Sequence, residues 1–275
     1  MPKIELLNED CMAVMARYPD NYFDLACVDP PYGIGVNVSM GRRKGQAHSE
    51  YHKYAGGDVS APDSSYFSEL HRVSKSQIIW GANHFIDNLP RPANSSCWLM
   101  WDKGFSDEVT FAQFELAWCS FDTTCKKFDK SPIDHYRIHP TQKPVALYRW
   151  ILENYAEPGQ RILDTHLGSG SSAIAAHYFG CDFVGTELDP DYHKSAVERF
   201  NHETKQRDLF QQLTAKHRPA DLAMSMEEAR NVYRVARALD GVKMEQARQD
   251  LSAAFKAATS SHAGDPLPIP TPPTT

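Results

Sequence analysis

The sequence predicts an α/β fold with a mostly parallel central sheet. Three observations point there. The stretch "YFDLACVD" (22–29) is apolar with almost no alternation, as expected of a strand covered on both faces. The stretch "RILDTHLGSGSSAIAAHYFGCDFVGTELD" (161–189) reads strand, glycine turn, helix, strand, which is a βαβ unit. Strand-like and helix-like segments alternate up to about residue 200 instead of clustering by type.

Taken in order, "KIELL" (3–7) is a first strand, and a helix follows from about Asp10 to Arg17. The strand at 22–29 ends at Asp29-Pro30-Pro31-Tyr32, where two prolines force a rigid, exposed corner. A Gly-rich polar loop then runs to about Asp58, and loops of that length are usually functional or disordered. A helix near Ser64–Val73 leads into the strand "QIIWGA" (77–82), with further strands at "CWLMWD" (97–102) and "FELAWCS" (114–120). In "RIHPTQKPVALYRWILENYAEPG" (137–159) a helix starts near Pro144, with Leu147, Ile151 and Tyr155 on its apolar face. From about Tyr192 the composition turns to long polar helices. The segment from Ser225 opens with a Ser225-x-x-Glu228 capping box and breaks at Asp240-Gly241, which reads as a helical hairpin with Val232, Val235 and Leu239 on one face. The expected organisation is a domain over 1–203, a helical extension over 204–260 and a disordered Pro-rich tail over 261–275.

Bulk composition narrows the class. Of 275 residues, 41% are hydrophobic and 23% charged, enough for a sizeable core. No apolar run approaches the roughly 20 residues that span a bilayer, and the N-terminus lacks an apolar signal region, so a cytosolic protein with no membrane association is expected. The six cysteines show no metal or redox spacing and read as buried thiols. Twelve histidines are more than usual, but no metal is expected. A net charge of −6 argues against a protein coated in basic charge, but binding depends on where the charge sits. Arg42, Arg43, Lys44 and Lys53 against Glu50 leave a local excess of three positive charges in the long loop. Alone, that suits a solvated loop as well as a phosphate-contacting one.

Two motifs carry chemistry. Gly168-Ser169-Gly170-Ser171-Ser172-Ala173 follows a strand and opens a helix, and Glu187 ends the next strand. Such glycines let a ligand approach the backbone, and a terminal acid can accept two ribose hydroxyls. By itself the turn suits a nucleotide, a nicotinamide cofactor, S-adenosylmethionine, or no ligand at all. At the proline corner, the Asp29 carboxylate and the Pro31 carbonyl can together accept both hydrogens of an exocyclic amine, and Tyr32 offers a flat face for an aromatic base. The structural alternative is an Asx-Pro turn with a packed tyrosine.

Asp29-Pro30-Pro31-Tyr32, followed downstream by "HPTQKP" (139–144) and "LDTHLGSGSS" (163–172), resembles the S-adenosylmethionine-dependent DNA amino-methyltransferases, with the corner before the glycines as in their beta group. The resemblance covers about residues 3–203. It implies a Rossmann-like methyltransferase fold with permuted motif order, a bacterial or phage-encoded cytoplasmic enzyme, S-adenosyl-L-methionine as cofactor and double-stranded DNA as partner. Homodimers are widespread in that group, so a homodimer is expected. By resemblance Asp29, Pro30, Pro31 and Tyr32 hold the target amine. Asp10 would meet the cofactor's adenine, His139, Thr141 and Lys143 its methionine carboxylate, and Asp164 its ammonium. Gly168, Gly170 and Ser171 would form the turn, and Glu187 would bind the ribose.

Thr165 and His166 replace the family's usual proline and phenylalanine, and His166 reads as a packing substitute. A base paired in a duplex must be flipped out to react. The basic loop would contact phosphates, and target recognition would lie in 33–60 and 103–138, with Phe105, Lys126, Lys127 and Lys130 as candidates. Asp rather than Ser at the head of the corner implies N6 of adenine over N4 of cytosine. Two other readings are a nicotinamide-dependent oxidoreductase, which leaves the corner unexplained, and a DNA-binding homologue without activity.

Overall fold

A computed structural model describes residues 2–35, 58, 60–105, 112–132, 137–139 and 141–216, with side chains to 205. The chain divides into two compact units, Met1–Lys205 and Gln206–Thr275. The basic cluster at 42–53, the hairpin from Ser225 and the Pro-rich tail lie outside the described residues.

The first unit is built on an eight-stranded sheet: β1 (Ile4–Leu7), β2 (Phe23–Val28), β3 (Ser74–Trp80), β4 (Trp98–Asp102), β5 (Phe114–Cys119), β6 (Lys126–Asp129), β7 (Arg161–Asp164) and β8 (Asp182–Thr186). Their spatial order is β1-β8-β7-β2-β3-β5-β4-β6. All neighbours pair parallel except β3 with β5 and β5 with β4, so β5 alone runs against the rest. The expected mostly parallel sheet is thus present, with one reversed strand.

The helices are α1 (Cys11–Met15), α2 (Ser64–Val73), α3 (Val145–Tyr155), α4 (Ser171–Phe179) and α5 (Pro190–Lys216). Asp10 caps α1 by accepting the Ala13 amide, and Asp63 caps α2 by accepting the Ser65 and Tyr66 amides. Pro144 sits at the N-cap of α3, where the amide it lacks has no helical partner to lose. Gly180 ends α4 in the left-handed region that a C-terminal stop requires.

Strand residues alternate between two cores. Leu25, Cys27, Ile78 and Trp80 face a layer with Leu147 and Ile151 of α3, Ala173 and Ala176 of α4, and Ala196 of α5. Phe23, Ala26, Val28 and Ile79 face the opposite layer with Val14 and Met15 of α1 and Phe67 and Leu70 of α2. Burial on both faces explains why these strands read as unbroken apolar runs. Four of the cysteines are buried as expected, but Cys11 is partly exposed and Cys125 exposed; none is in a disulfide.

The sequence reading missed β6, which lies at the sheet edge beside β4 with the pattern "KKFD", two side chains half-buried and two exposed. It also placed the start of β3 too late, because β3 begins directly where α2 ends. The ends of the long loop are clasped by Asp58, whose carboxylate accepts the Gly33 amide at 2.7 Å and the Ile34 amide at 3.2 Å. Its carbonyl accepts the Gly35 amide at 2.9 Å. Among the described residues no helix is long and apolar enough to cross a membrane.

Leu99, on β4, is fully buried in the α3/α4 core. Leu99→Ala is expected to lower unfolding stability by about 2–5 kcal/mol in a denaturant titration.

Candidate active site

The polar residues that matter collect along one edge of the sheet. Parallel strands deliver their C-terminal ends there: Asp29 just past β2, Gly81 past β3, Lys103 past β4, Asp164 at the end of β7 and Glu187 past β8. Because β5 is reversed, it delivers its beginning, Phe114 and Glu115, to the same edge. The connection after β7 moves one way along the sheet and that after β2 the other, so β7 and β2 flank a topological switch point, where open α/β sheets bind ligands. Ile34, Phe114 and Leu188, the exposed large apolar side chains among the described residues, follow β2, begin β5 and follow β8 on this edge.

At the corner, Tyr32 donates its hydroxyl to Asp29 Oδ1 at 2.7 Å. Lys143 Nζ donates to Asp29 Oδ2 at 2.5 Å and lies 2.9 Å from Glu115 Oε2 and 3.2 Å from the Tyr32 hydroxyl. Lys103 holds the other Glu115 oxygen at 2.6 Å. The result is a chain of alternating charge, Lys103–Glu115–Lys143–Asp29, largely removed from water: the Lys143 side chain is 3% exposed and that of Glu115 20%. Burial alone would raise the Glu115 carboxyl, but Lys143 and Lys103 hold it down to about 2. Burial would lower the Lys143 ammonium, yet Asp29 and Glu115 raise it, so it stays charged. Burial pushes the Asp29 carboxyl up, Lys143 opposes this, and Glu115 adds to the rise.

Two placements differ from the sequence reading. By resemblance Lys143 was expected at the cofactor's methionine carboxylate; its ammonium lies on Asp29 and Glu115, two buried carboxylates that need a counter-charge. Tyr32 does not present a bare face: its ring stacks on His84 at 5.3 Å and 17°. The ring also packs so tightly on Gly81, which has φ +71°, that any Cβ there would overlap it. Glu115, Lys103 and His84 were not singled out from sequence.

The glycine turn lies at the other side of the switch point. Gly168 and Gly170 have φ +52° and +76°, which side-chain-bearing residues rarely adopt. Glu187 accepts the Gly168 amide at 2.9 Å and the Asp189 amide at 3.0 Å, which fixes its carboxylate beneath the turn. The Ser171 side chain is buried, bonded to Ser169 at 3.1 Å and to Arg199 of α5 at 2.9 Å, contacts that brace the turn. His139 packs edge-on to Tyr192 at 4.4 Å and bonds Thr141 at 3.1 Å, and a Cβ on Gly168 would lie 3.7 Å from its ring. That brings His139 and Thr141 to the turn. Asp10, besides capping α1, stands at the end of β1 on the same edge.

Asp164 is buried and meets neutral donors, the Ser172 hydroxyl at 2.6 Å and the His166 amide at 3.1 Å. Burial raises its carboxyl to about 7. A cationic ligand group at this carboxylate would supply the missing counter-charge. Thr165 and His166 form a chain with Tyr66: the Tyr66 and Thr165 hydroxyls are 2.6 Å apart, and Thr165 is 2.9 Å from His166 Nδ1. Burial lowers the His166 ring to about 4, leaving it neutral at pH 7. Of the candidate recognition residues, Lys126 bonds Asn154 at 2.7 Å and Lys127, about half exposed, pairs with Asp129 at 2.7 Å on the surface of the sheet edge.

Comparisons with known proteins follow the same direction. Residues 96–198 match the N6/N4 methyltransferase family model, described as DNA methylase. A methylase of Escherichia coli (strain K12), YubD, is 25% identical over 209 residues, covering 69% of this chain and 87% of that protein. The DNA adenine methyltransferase YhdJ of the same organism is 36% identical over 69 residues, 25% of this chain and 24% of its own length. A DNA modification methylase of Thermus thermophilus, solved with S-adenosyl-L-methionine, aligns with a TM-score of 0.47 and 17% identity over 74% of this chain and 96% of that one. The family match bears out the resemblance carried by the motifs.

Two outcomes are expected. Between its unfolded value near 4 and about 7, folded Asp164 keeps a proton that the unfolded chain loses, so it costs stability as pH rises through that window. Asp164→Asn should therefore unfold at a higher temperature than the native protein at pH 8, with the gap closing towards pH 4. Gly81→Ala should displace Tyr32 and lower turnover at least roughly tenfold while the fold, followed by circular dichroism, is kept.

Proposed function

We propose that this chain is a DNA methyltransferase that places a methyl group on the exocyclic N6 of an adenine flipped out of the duplex. The observation that carries this reading is the position of Asp29-Pro30-Pro31-Tyr32 at the switch point, with the glycine turn and Asp164 on the adjoining strand. An amine-accepting corner and a nucleoside-type turn on neighbouring strands suit a two-substrate transfer without a covalent enzyme intermediate.

S-adenosyl-L-methionine supplies an electrophilic methyl group, so the protein contributes positioning and electrostatics. In this reading Glu187 accepts ribose hydroxyls, Asp164 faces the methionine ammonium, and His139 and Thr141 border the carboxylate end. Gly168 and Gly170 admit the ligand to the backbone, and Asp10 lies at the adenine end. Asp29 acts as an ionised acceptor for one amine hydrogen and Pro31 as the neutral acceptor for the other, drawing the nitrogen lone pair out of conjugation with the ring. Tyr32 holds the Asp29 carboxylate in orientation through its hydroxyl, and a stacked base would take the place His84 occupies on its ring. The amine nitrogen would take the methyl as its bond to sulfur breaks, the bonding pair staying on sulfur; the positive charge that forms on nitrogen is stabilised by the Asp29 carboxylate until the surplus N–H proton is released to solvent.

Preference for adenine rests on the aspartate at position 29. The basic cluster Arg42, Arg43, Lys44 and Lys53 is assigned to phosphate contacts on its charge alone.

The test is transfer of labelled methyl from S-adenosyl-L-methionine to mixed-sequence duplex DNA, followed by nucleoside analysis. Labelled N6-methyladenine is expected, falling at least roughly a hundredfold in Asp29→Ala. Label confined to N4-methylcytosine would overturn the choice of base, and no transfer by the native protein would overturn the reading.

A further inference from the structure

Lys143 occupies the place an incoming amine would need. Its three ammonium hydrogens have three acceptors: Asp29 Oδ2 at 2.5 Å, Glu115 Oε2 at 2.9 Å and the Tyr32 hydroxyl at 3.2 Å. The other Asp29 oxygen is engaged by Tyr32. Both oxygens of the carboxylate meant for a substrate amine therefore already have donors. Being charged, the ammonium has no lone pair and cannot itself accept a methyl group.

It also cannot stay where it is during transfer. A fixed cation within hydrogen-bond range of Asp29 would oppose the positive charge that grows on the substrate nitrogen. A second resting place is built beside it. Glu115 is within reach without chain movement and is clamped from behind by Lys103 at 2.6 Å. The faces of Trp80 and Tyr32 lie 5.3 and 5.7 Å from Nζ and suit a cation. These groups come from β3, β5, the corner after β2 and the end of β4, so the arrangement belongs to the tertiary fold and not to one motif.

We infer that Lys143 is a displaceable internal occupant of the amine site, and that Glu115 is a positioning residue that draws it off Asp29 when the target base enters. The inference rests on the reading of the corner as an amine site. It assigns Lys103 the task of keeping Glu115 in place to receive the ammonium.

The consequence is a change of sign between two backgrounds. With Lys143 present, Glu115→Gln removes the competing carboxylate and leaves the ammonium bound more tightly to Asp29. The KM for DNA should rise roughly tenfold, while kcat and the Kd for S-adenosyl-L-methionine stay within about threefold. With Lys143→Met, Glu115 keeps Lys103 on one oxygen but loses the cation between its other oxygen and Asp29, so the two carboxylates face each other unscreened. Adding Glu115→Gln there should lower the KM, giving the double variant a higher kcat/KM than Lys143→Met alone.

Measured on duplex DNA with the full chain, such a reversal supports the inference. The same sign in both backgrounds overturns it, because Glu115 then acts independently of Lys143. Complete loss of transfer in both Lys143 variants also overturns it, since a displaceable occupant is dispensable. Should Lys143→Met fail to fold, Lys103→Met in the native background decides: a selective rise in KM supports the role given to Glu115, and an unchanged KM overturns it. Transfer by the native protein in the same assay separates failure of this inference from failure of the methyltransferase reading.

Discussion

The pairing of β2 with β7 is the constraint on which the rest of the site depends. Leu25 lies against Ile162 and Ala26 against Leu163, so the two central strands are locked in parallel register by residues buried on both faces. Register carries over to their ends, and that is why Asp29 and Asp164 emerge side by side. The connections that follow these strands lead in opposite directions along the sheet, and in open α/β sheets a crevice forms at such a point. A slip of one residue would turn every side chain of β2 to the other core.

Around that junction, the buried charges are organised by need of partners and not by chain proximity. Glu115 and Lys103 start and follow strands of an antiparallel pair, Lys143 precedes α3, and Asp29 follows β2. Each would be costly to bury alone, and they are held together as two acids and two bases. Across the crevice, Asp164 has only neutral partners among its hydrogen bonds. One side of the crevice is thus internally neutralised, and the other keeps a carboxyl that favours an incoming cation. In the proposed reading, that asymmetry sets the side that receives a neutral amine apart from the side that receives a charged cofactor.

Much of this was legible in the sequence, for definite reasons. Unbroken apolar runs marked the doubly covered strands, proline marked the corner and the start of α3, and the glycines marked the turn. β6 escaped because "KKFD" at a sheet edge has one apolar residue and no burial pattern to display. The reversal of β5 escaped because strand direction is set by pairing between distant segments. Glu115 and Lys103 escaped because they belong to no motif, although an acid inside the otherwise apolar "FELAWCS" was a sign that a buried partner had to exist. Lys143 was seen but assigned to the cofactor by resemblance, and only the tertiary fold brings it to Asp29.

The Asp58 clasp has a consequence for how such a protein can diversify. By fixing Gly33, Ile34 and Gly35 against residue 58, it closes the ends of the intervening segment independently of what lies between them. Closure entropy grows slowly with length, about 0.6 kcal/mol for each doubling. A change in the number of residues joining the two clasped ends therefore costs little in closure, and the strand-end edge beside the clasp keeps its shape.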